Sequence, residues 1–211
     1  AAGRRAGEHD DLGAGKADFF GIAAAYFLAR GGVQTTIFER EEKLGGVPRY
    51  VIPAFRISDE ALDKDVALME RLGVEVKCGA PAPSVAELKK MGYTHILLAT
   101  GAWQAGELGI PGNVRGVIAW MKEMKQQVKP CLEGHVVVVG AGNTAMDAAR
   151  VAKRMGAASS TIVYRRTKKE MPADEHELKL AIDEGVEFVE LAAPVEQKDG
   201  KLVCSRMKLG E

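Results

Sequence analysis

Cysteine is scarce in this chain and scattered. Cys78, Cys131 and Cys204 are the three cysteines in 211 residues, and none sits in a C-x-x-C pair. That spacing excludes a disulfide framework, and it excludes a zinc or iron–sulfur site made by this chain alone. A reducing, cytoplasmic setting is the expectation. An excess of one charge is lacking too: Lys+Arg and Asp+Glu both number 29, for a formal net charge of +0. A balanced chain has no general field toward nucleic acid or an acidic membrane surface, so neither is an expected partner and any anion must be held by local groups. No apolar run approaches the roughly 20 residues of a membrane span. Arg4 and Arg5 are followed by no apolar core, so residues 1–12 do not read as a secretory signal. Short-period repeats are also absent.

What is present is an ordinary globular composition, 46% hydrophobic and 27% charged, arranged as two series of alternating strands and helices. In the first series, the Ala-rich stretch Gly21–Arg30 predicts a helix stopped by Gly31-Gly32, and Gln34–Phe38 predicts a strand. Ser58 predicts the cap of a helix through Arg71, Val74–Lys77 a short strand and Ser84–Lys90 a short helix. Thr94–Thr100 predicts a buried strand ending at Gly101. In the second series, strands are expected at His135–Val139, Ser160–Tyr164 and Val186–Leu191, with helices at Asn143–Met155 and Asp174–Asp183. Lys201–Leu209 reads as the edge strand of a hairpin. Strands alternating with helices imply βαβ units and parallel sheets. The Gly- and Pro-containing stretch Gly101–Pro130 separates the two series.

The most informative segment is Gly140-Ala141-Gly142-Asn143-Thr144-Ala145, which follows four consecutive valines and opens the Ala-rich run Met146–Ala152. A buried strand, a glycine turn and a helix in that order form the context of a dinucleotide-binding fingerprint. The first glycine permits the tight turn, the second lets backbone approach a diphosphate, and a small third residue lets helix pack closely on strand. Free N–H groups at the helix start then face the phosphates. The next strand runs into Tyr164-Arg165-Arg166. An NAD site usually places an acid there for the ribose 2′-hydroxyl; two guanidinium groups suit a 2′-phosphate instead, so NADPH is expected over NADH. The competing reading is a solvated basic turn extended by Lys168 and Lys169.

A second glycine turn, Gly13-Ala-Gly15, precedes the first Ala-rich helix, and Glu39-Arg40 closes the strand after it, followed by Gly45-Gly46. This order suits a unit for FAD, with Glu39 on a ribose diol. Two features depart from it. Residues 1–12 are polar where an apolar strand is needed, and Lys16–Phe20 makes the gap from Gly15 to Gly21 too long for G-x-G-x-x-G. Residues 1–20 therefore read as a damaged or mistranslated copy of a strand and turn; if the segment is authentic, low flavin affinity is expected.

Among the simpler readings, Asp174-Glu-His176-Glu177 is a charged helix start rather than a metal site, because its members do not share one helix face at ligand spacing. Met69 and Met121 are core fillers, and Trp103 and Trp120 pack rather than stack on a base.

Taken in order, Ala23–Arg30, Phe38-Glu-Arg40, Gly45-Gly46, Ile52-Pro-Ala-Phe-Arg56, Ala99-Thr-Gly101, Gly109-Ile-Pro-Gly112, Gly140–Asp147, Val163-Tyr-Arg-Arg166 and Glu170-Met-Pro-Ala173 resemble the NADPH-dependent flavoprotein family of the glutamate synthase small subunit and the N-terminal half of dihydropyrimidine dehydrogenase. Flavoprotein subunits named for selenate reduction are the most similar branch. The resemblance covers nearly all of residues 21–211. It implies an α/β fold of Rossmann-like parallel sheets: a partial FAD-binding domain at 1–101, a connecting segment at 102–134, and an inserted NADPH-binding domain at 135–211, incomplete at its C-terminus. It implies that Glu39, Gly45, Gly46 and Arg56 contact FAD, and that Gly142, Asn143, Thr144, Arg165 and Arg166 contact NADPH. Gly13, Gly15, Arg40, Thr100, Gly101, Gly140 and Ala141 complete the expected cofactor-binding set. The implied activity passes hydride from NADPH to FAD and electrons onward to an iron–sulfur or catalytic partner. Hydride transfer needs stacking and distance rather than an acid or base, so no catalytic side chain is expected. The resemblance also implies a fragment, which leaves open a non-catalytic module that binds a nucleotide or a partner subunit.

Overall fold

A computed structural model describes residues 19–104, 106 and 108–209. The chain divides into two compact units, one ending at Trp103 and the other beginning at Gln104.

The first unit is built on helices α1 (Phe19–Arg30), α2 (Gly46–Tyr50), α3 (Asp59–Arg71) and α4 (Val85–Lys90), with strands β1 (Thr36–Phe38) and β2 (Glu75–Lys77). Helix α1 ends as its glycines require: the Gly31 N–H reaches the Phe27 carbonyl at 3.1 Å, and the chain leaves through Gly32 at φ 77°. The Ser58 hydroxyl accepts from the Ala61 N–H at 3.2 Å to start α3. Ser84 and Glu87 close a reciprocal capping box on α4. Strands β1 and β2 pair in parallel, from Thr36 opposite Glu75 to Phe38 opposite Lys77. Ile22 and Ala25 of α1, Ile37 of β1, Met69 of α3, Leu44 and Val74 form one buried cluster.

The stretch Thr94–Thr100 departs from expectation. Among the described residues it forms no strand, and Leu97 and Leu98 are 57% and 44% exposed. A strand is defined by its hydrogen-bonding neighbour, and an apolar run alone does not supply one.

The second unit begins with α5 (Val117–Lys125), a helix inside the stretch that reads as a separator. It buries Met121 and Met124 and packs on α6 (Asn143–Arg154). Strands β3 (His135–Val139), β4 (Ser159–Val163) and β5 (Val186–Val189) form a parallel sheet in that order, with α6 and α7 (Glu175–Asp183) in the connections. Met146 and Ala149 of α6, Ile162 of β4, Leu178 and Ala181 of α7, and Val186 of β5 share the core. Alanines on the inner face bring α6 close to the sheet, close enough for the buried Ser160 hydroxyl to donate to the Ala149 carbonyl at 2.9 Å. Strands β6 (Ala192–Lys198) and β7 (Lys201–Arg206) form an antiparallel hairpin. Asp199 and Gly200 at its tip have φ of 50° and 74°, the left-handed pair that a two-residue hairpin loop needs. The Gly109–Gly112 turn docks on β6, with the Gln197 N–H donating to the Pro111 carbonyl at 2.8 Å. Among the described residues no helix is long and apolar enough to cross a membrane.

Helices α6 and α7 are joined by charge. Buried Arg150 and half-exposed Arg154 both donate to Glu184 Oε1, at 2.6 and 2.7 Å. Bonds from Arg154, then from Arg150, hold the Glu184 carboxyl down at about 2, against an ordinary 4.5. Its stabilisation is therefore complete above the ordinary carboxylate range and is lost as pH falls through that window. Glu184→Gln is expected to cost about 1.5–3 kcal/mol at neutral pH, the scale of hydrogen bonds to charged groups. The difference in Tm between wild type and variant should close as pH falls from 4.5 toward 2, as followed by circular dichroism melts. A gap that stays constant across that range rules out Glu184 as the titrating link.

Candidate functional site

The last register pair of β3 and β4 is Val139 opposite Val163. Both strands run the same way, so the residues that follow them leave the sheet side by side. The Gly140 N–H extends the ladder by one bond, to the Val163 carbonyl at 3.0 Å. On one side the chain turns through Gly140–Gly142 into α6; on the other it runs through Tyr164 into Arg165 and Arg166.

The two glycines of the turn have different reasons to be glycine. Gly140 has φ 118°, a conformation that side chains disfavour. Gly142 has φ −88° and ψ 171°, open to any residue, and a Cβ there would meet nothing within 4 Å. Its missing side chain therefore leaves space in front of the turn rather than relieving the backbone. Gly142 occupies the N-cap of α6 without a side-chain cap. Its carbonyl accepts from the Ala145 and Met146 N–H groups. Asn143 and Thr144 are exposed, and among the described residues their N–H groups find no acceptor. Open donors at the start of a 12-residue helix attract an anion.

Behind the turn, buried Ala141 accepts from the Ala173 N–H at 3.0 Å. The Glu170–Ala173 segment thus braces the glycine turn, a role its sequence does not announce. Asp174 caps α7, its carboxylate accepting from the His176 N–H at 2.8 Å, in agreement with the charged-helix-start reading.

Arg165 and Arg166 are exposed. Among the described residues neither guanidinium makes a hydrogen bond or ion pair, unlike those of Arg49, Arg115, Arg150 and Arg154. Free donors at this strand end can receive a phosphate without first breaking an internal pair.

In the first unit, Glu39 follows β1 and is fully buried, at 0% exposure. Its N–H donates to the Lys77 carbonyl at 2.8 Å, and its Oε1 accepts from the Glu41 N–H at 2.9 Å. Arg40 is exposed. Gly45 and Gly46 are buried at the start of α2. Arg56 is half-buried, with its guanidinium 6.0 Å from the Phe55 ring centre. The half-buried Thr100 carbonyl accepts from the Trp103 indole at 2.9 Å, and Gly101 beside it is exposed. Gly13 and Gly15 lie outside the described residues.

Arg49 is a buried arginine that sequence reading passes over. Its Nε donates to the Leu44 carbonyl and its Nη2 to Asp63 at 2.6 Å. A Cβ on Gly45 would stand 2.9 Å from the Arg49 Cβ, so the Gly45-Gly46 turn is glycine partly to admit this arginine. The spacing of a glycine four residues before an arginine could have signalled it, but such pairs are common. Beside it, burial and then the nearby Glu39 push the Cys78 thiol up.

A glycine turn between a parallel strand and a helix, with the next strand alongside, is the arrangement found in dinucleotide-binding α/β domains. Residues 12–208 match the family described as pyridine nucleotide-disulphide oxidoreductase, and the chain belongs to that family. Cys78, Cys131 and Cys204 are all free. YgfK of Escherichia coli (strain K12) is 42% identical over 206 residues, 95% of this chain and 20% of that protein. The NADPH-Fe(3+) oxidoreductase subunit beta of Geobacter sulfurreducens is 37% identical over 95% of this chain and 32% of its own length. The glutamate synthase [NADPH] small chain of Azospirillum brasilense is 34% identical over 87% of this chain and 41% of its own length. The chain thus spans between a fifth and about half of the relatives it matches. Among solved structures, Mycobacterium tuberculosis FprA in complex with NADPH shares the fold at TM-score 0.68 and 16% identity, over 92% of this chain and 65% of that one. The T. acidophilum thioredoxin reductase also shares the fold, at TM-score 0.56 and 14% identity over 91% of this chain and 73% of that one.

The open space before Gly142 can be tested directly. Gly142→Ala is expected to leave Tm nearly unchanged while weakening ADP binding about tenfold, because only an incoming diphosphate meets the new methyl group. Calorimetric Tm and titration with ADP measure the two effects. A large fall in Tm, or unchanged ADP affinity, contradicts the assignment of that space to a ligand.

Proposed function

We propose that this chain is the nucleotide-handling part of an NADPH-dependent flavoprotein oxidoreductase. In that reading it takes hydride from NADPH, and electrons pass on to an iron–sulfur or catalytic partner. The observation that carries the reading is the Val139–Val163 register, by which the turn before α6 and the segment carrying Arg165 and Arg166 leave the same end of the sheet from adjacent strands. The first suits the diphosphate of a dinucleotide and the second the 2′-phosphate that separates NADPH from NADH. Relatives whose names include NADPH, among them the Geobacter and Azospirillum proteins, support the same coenzyme.

For the flavin, the support is family membership and the position of Glu39, Gly45 and Gly46 after β1. FAD, when bound, supplies a two-electron acceptor. The chain's own residues bind and orient: Gly142, Asn143 and Thr144 hold the diphosphate, while Arg165 and Arg166 set the adenosine end. No side chain is assigned a proton, since hydride transfer to flavin depends on stacking and distance.

Replacing both Arg165 and Arg166 by Ala is expected to weaken NADPH binding by about 2 kcal/mol or more while NADH binding changes little, since only the former offers a phosphate to the pair. Fluorescence titration with each coenzyme measures the difference. Equal losses remove the 2′-phosphate assignment. On this reading the purified protein, supplied with FAD, should be yellow, and anaerobic addition of NADPH should bleach its flavin bands. Colourless protein that still binds NADPH would instead identify a binding module without turnover.

A further inference from the structure

The turn that carries Arg165 and Arg166 is bordered by two acids, Glu170 and Glu190, either of which could neutralise the guanidiniums. Both are occupied elsewhere. The Thr167 N–H and hydroxyl donate to Glu170 Oε2 at 3.0 and 2.6 Å. The Lys168 N–H donates to Glu190 Oε1 at 2.5 Å. The turn is held from two further directions. The Tyr164 hydroxyl donates to the Glu170 carbonyl at 2.8 Å, and the Leu191 N–H donates to the Arg166 carbonyl at 3.2 Å. Leu191 makes that bond from φ 54°, a left-handed conformation that is costly for a leucine and is kept only where surrounding bonds enforce it.

The Thr167 bonds hold the Glu170 carboxyl below the ordinary carboxylate range, and the charge of Arg166 adds to the effect. Glu170 therefore stands near enough to Arg166 to feel it, yet its hydrogen bonds run to Thr167. A carboxylate freed beside an exposed arginine forms an ion pair of its own, and a phosphate would then compete for the same donors.

We propose that Thr167, Glu170 and Glu190 are positioning residues for coenzyme choice: by binding the two acids to the backbone of the turn, they keep Arg165 and Arg166 free for a 2′-phosphate. This rests on the NADPH reading of the arginine pair. The deciding residue is Thr167, whose hydroxyl is the strongest competitor for Glu170.

The test is the ratio of NADH to NADPH dissociation constants, measured by fluorescence titration of the full chain. Wild type should favour NADPH. Thr167→Val keeps the shape and the N–H but loses the hydroxyl, and it should lower that ratio about three- to fivefold, the most that an exposed ion pair can take. Thr167→Ser should retain the wild-type ratio. Adding Glu170→Gln to Thr167→Val removes the competing charge and should restore most of the ratio. A ratio unchanged in Thr167→Val overturns the proposal, as does a loss that Glu170→Gln fails to restore, since the latter means the turn has merely loosened. Wild type that binds both coenzymes equally overturns the NADPH reading and this proposal with it, whereas discrimination that is undiminished in Thr167→Val overturns this proposal alone.

Discussion

Parallel pairing of β3 with β4 is the constraint on which the site depends. Parallel strands send their connections out from the same end, so whatever follows β3 must emerge beside whatever follows β4. With Val139 opposite Val163, Gly140 and Tyr164 leave the sheet together. A slip of one residue would turn the alternate side chains of β4 over and expose Ile162, which is fully buried. The register is therefore held by core packing, and the neighbouring turns inherit their alignment from it. The alanines of α6 serve the same end, because their small side chains keep the helix N-terminus close to the sheet edge where the glycine turn opens.

Around that alignment the chain commits its polar groups with some economy. Arg150 and Arg154 share Glu184, and Arg49 is tied to Leu44 and Asp63. Glu170 and Glu190 are taken up by backbone N–H groups. At the ends of β3 and β4, among the described residues, the helix start at Asn143 and Thr144 and the guanidiniums of Arg165 and Arg166 are left open. Groups of opposite sign to a phosphorylated nucleotide remain available, and the acids that would oppose it are engaged.

Much of this could be read from the residues. Local signals held where a short-range bond decides the structure: Ser58 as a cap, Gly31-Gly32 as a stop, Asp174 as a helix start. The glycine turn between the valines and the alanines was legible because its chemistry is contiguous. Other features were not. Residues 117–125 are a helix in a stretch that reads as a connector, since the glycines and prolines around it mask Met121 and Met124. Thr94–Thr100 has the composition of a buried strand without a strand partner among the described residues. Thr167 and Glu170 satisfy the capping-box spacing, but they sit inside a basic run whose charges draw the eye.

The amino-acid sequence by itself determined the kind of turn at Gly140–Gly142, the cations that follow the next strand, and the alternation that makes the sheet parallel. Each is a local consequence of backbone freedom, charge or periodicity. The tertiary structure alone decided which of those parts become neighbours and which charges stay free. Those outcomes depend on strand register and on contacts between residues distant along the chain, such as Ala141 with Ala173 and Lys168 with Glu190, which no local pattern specifies.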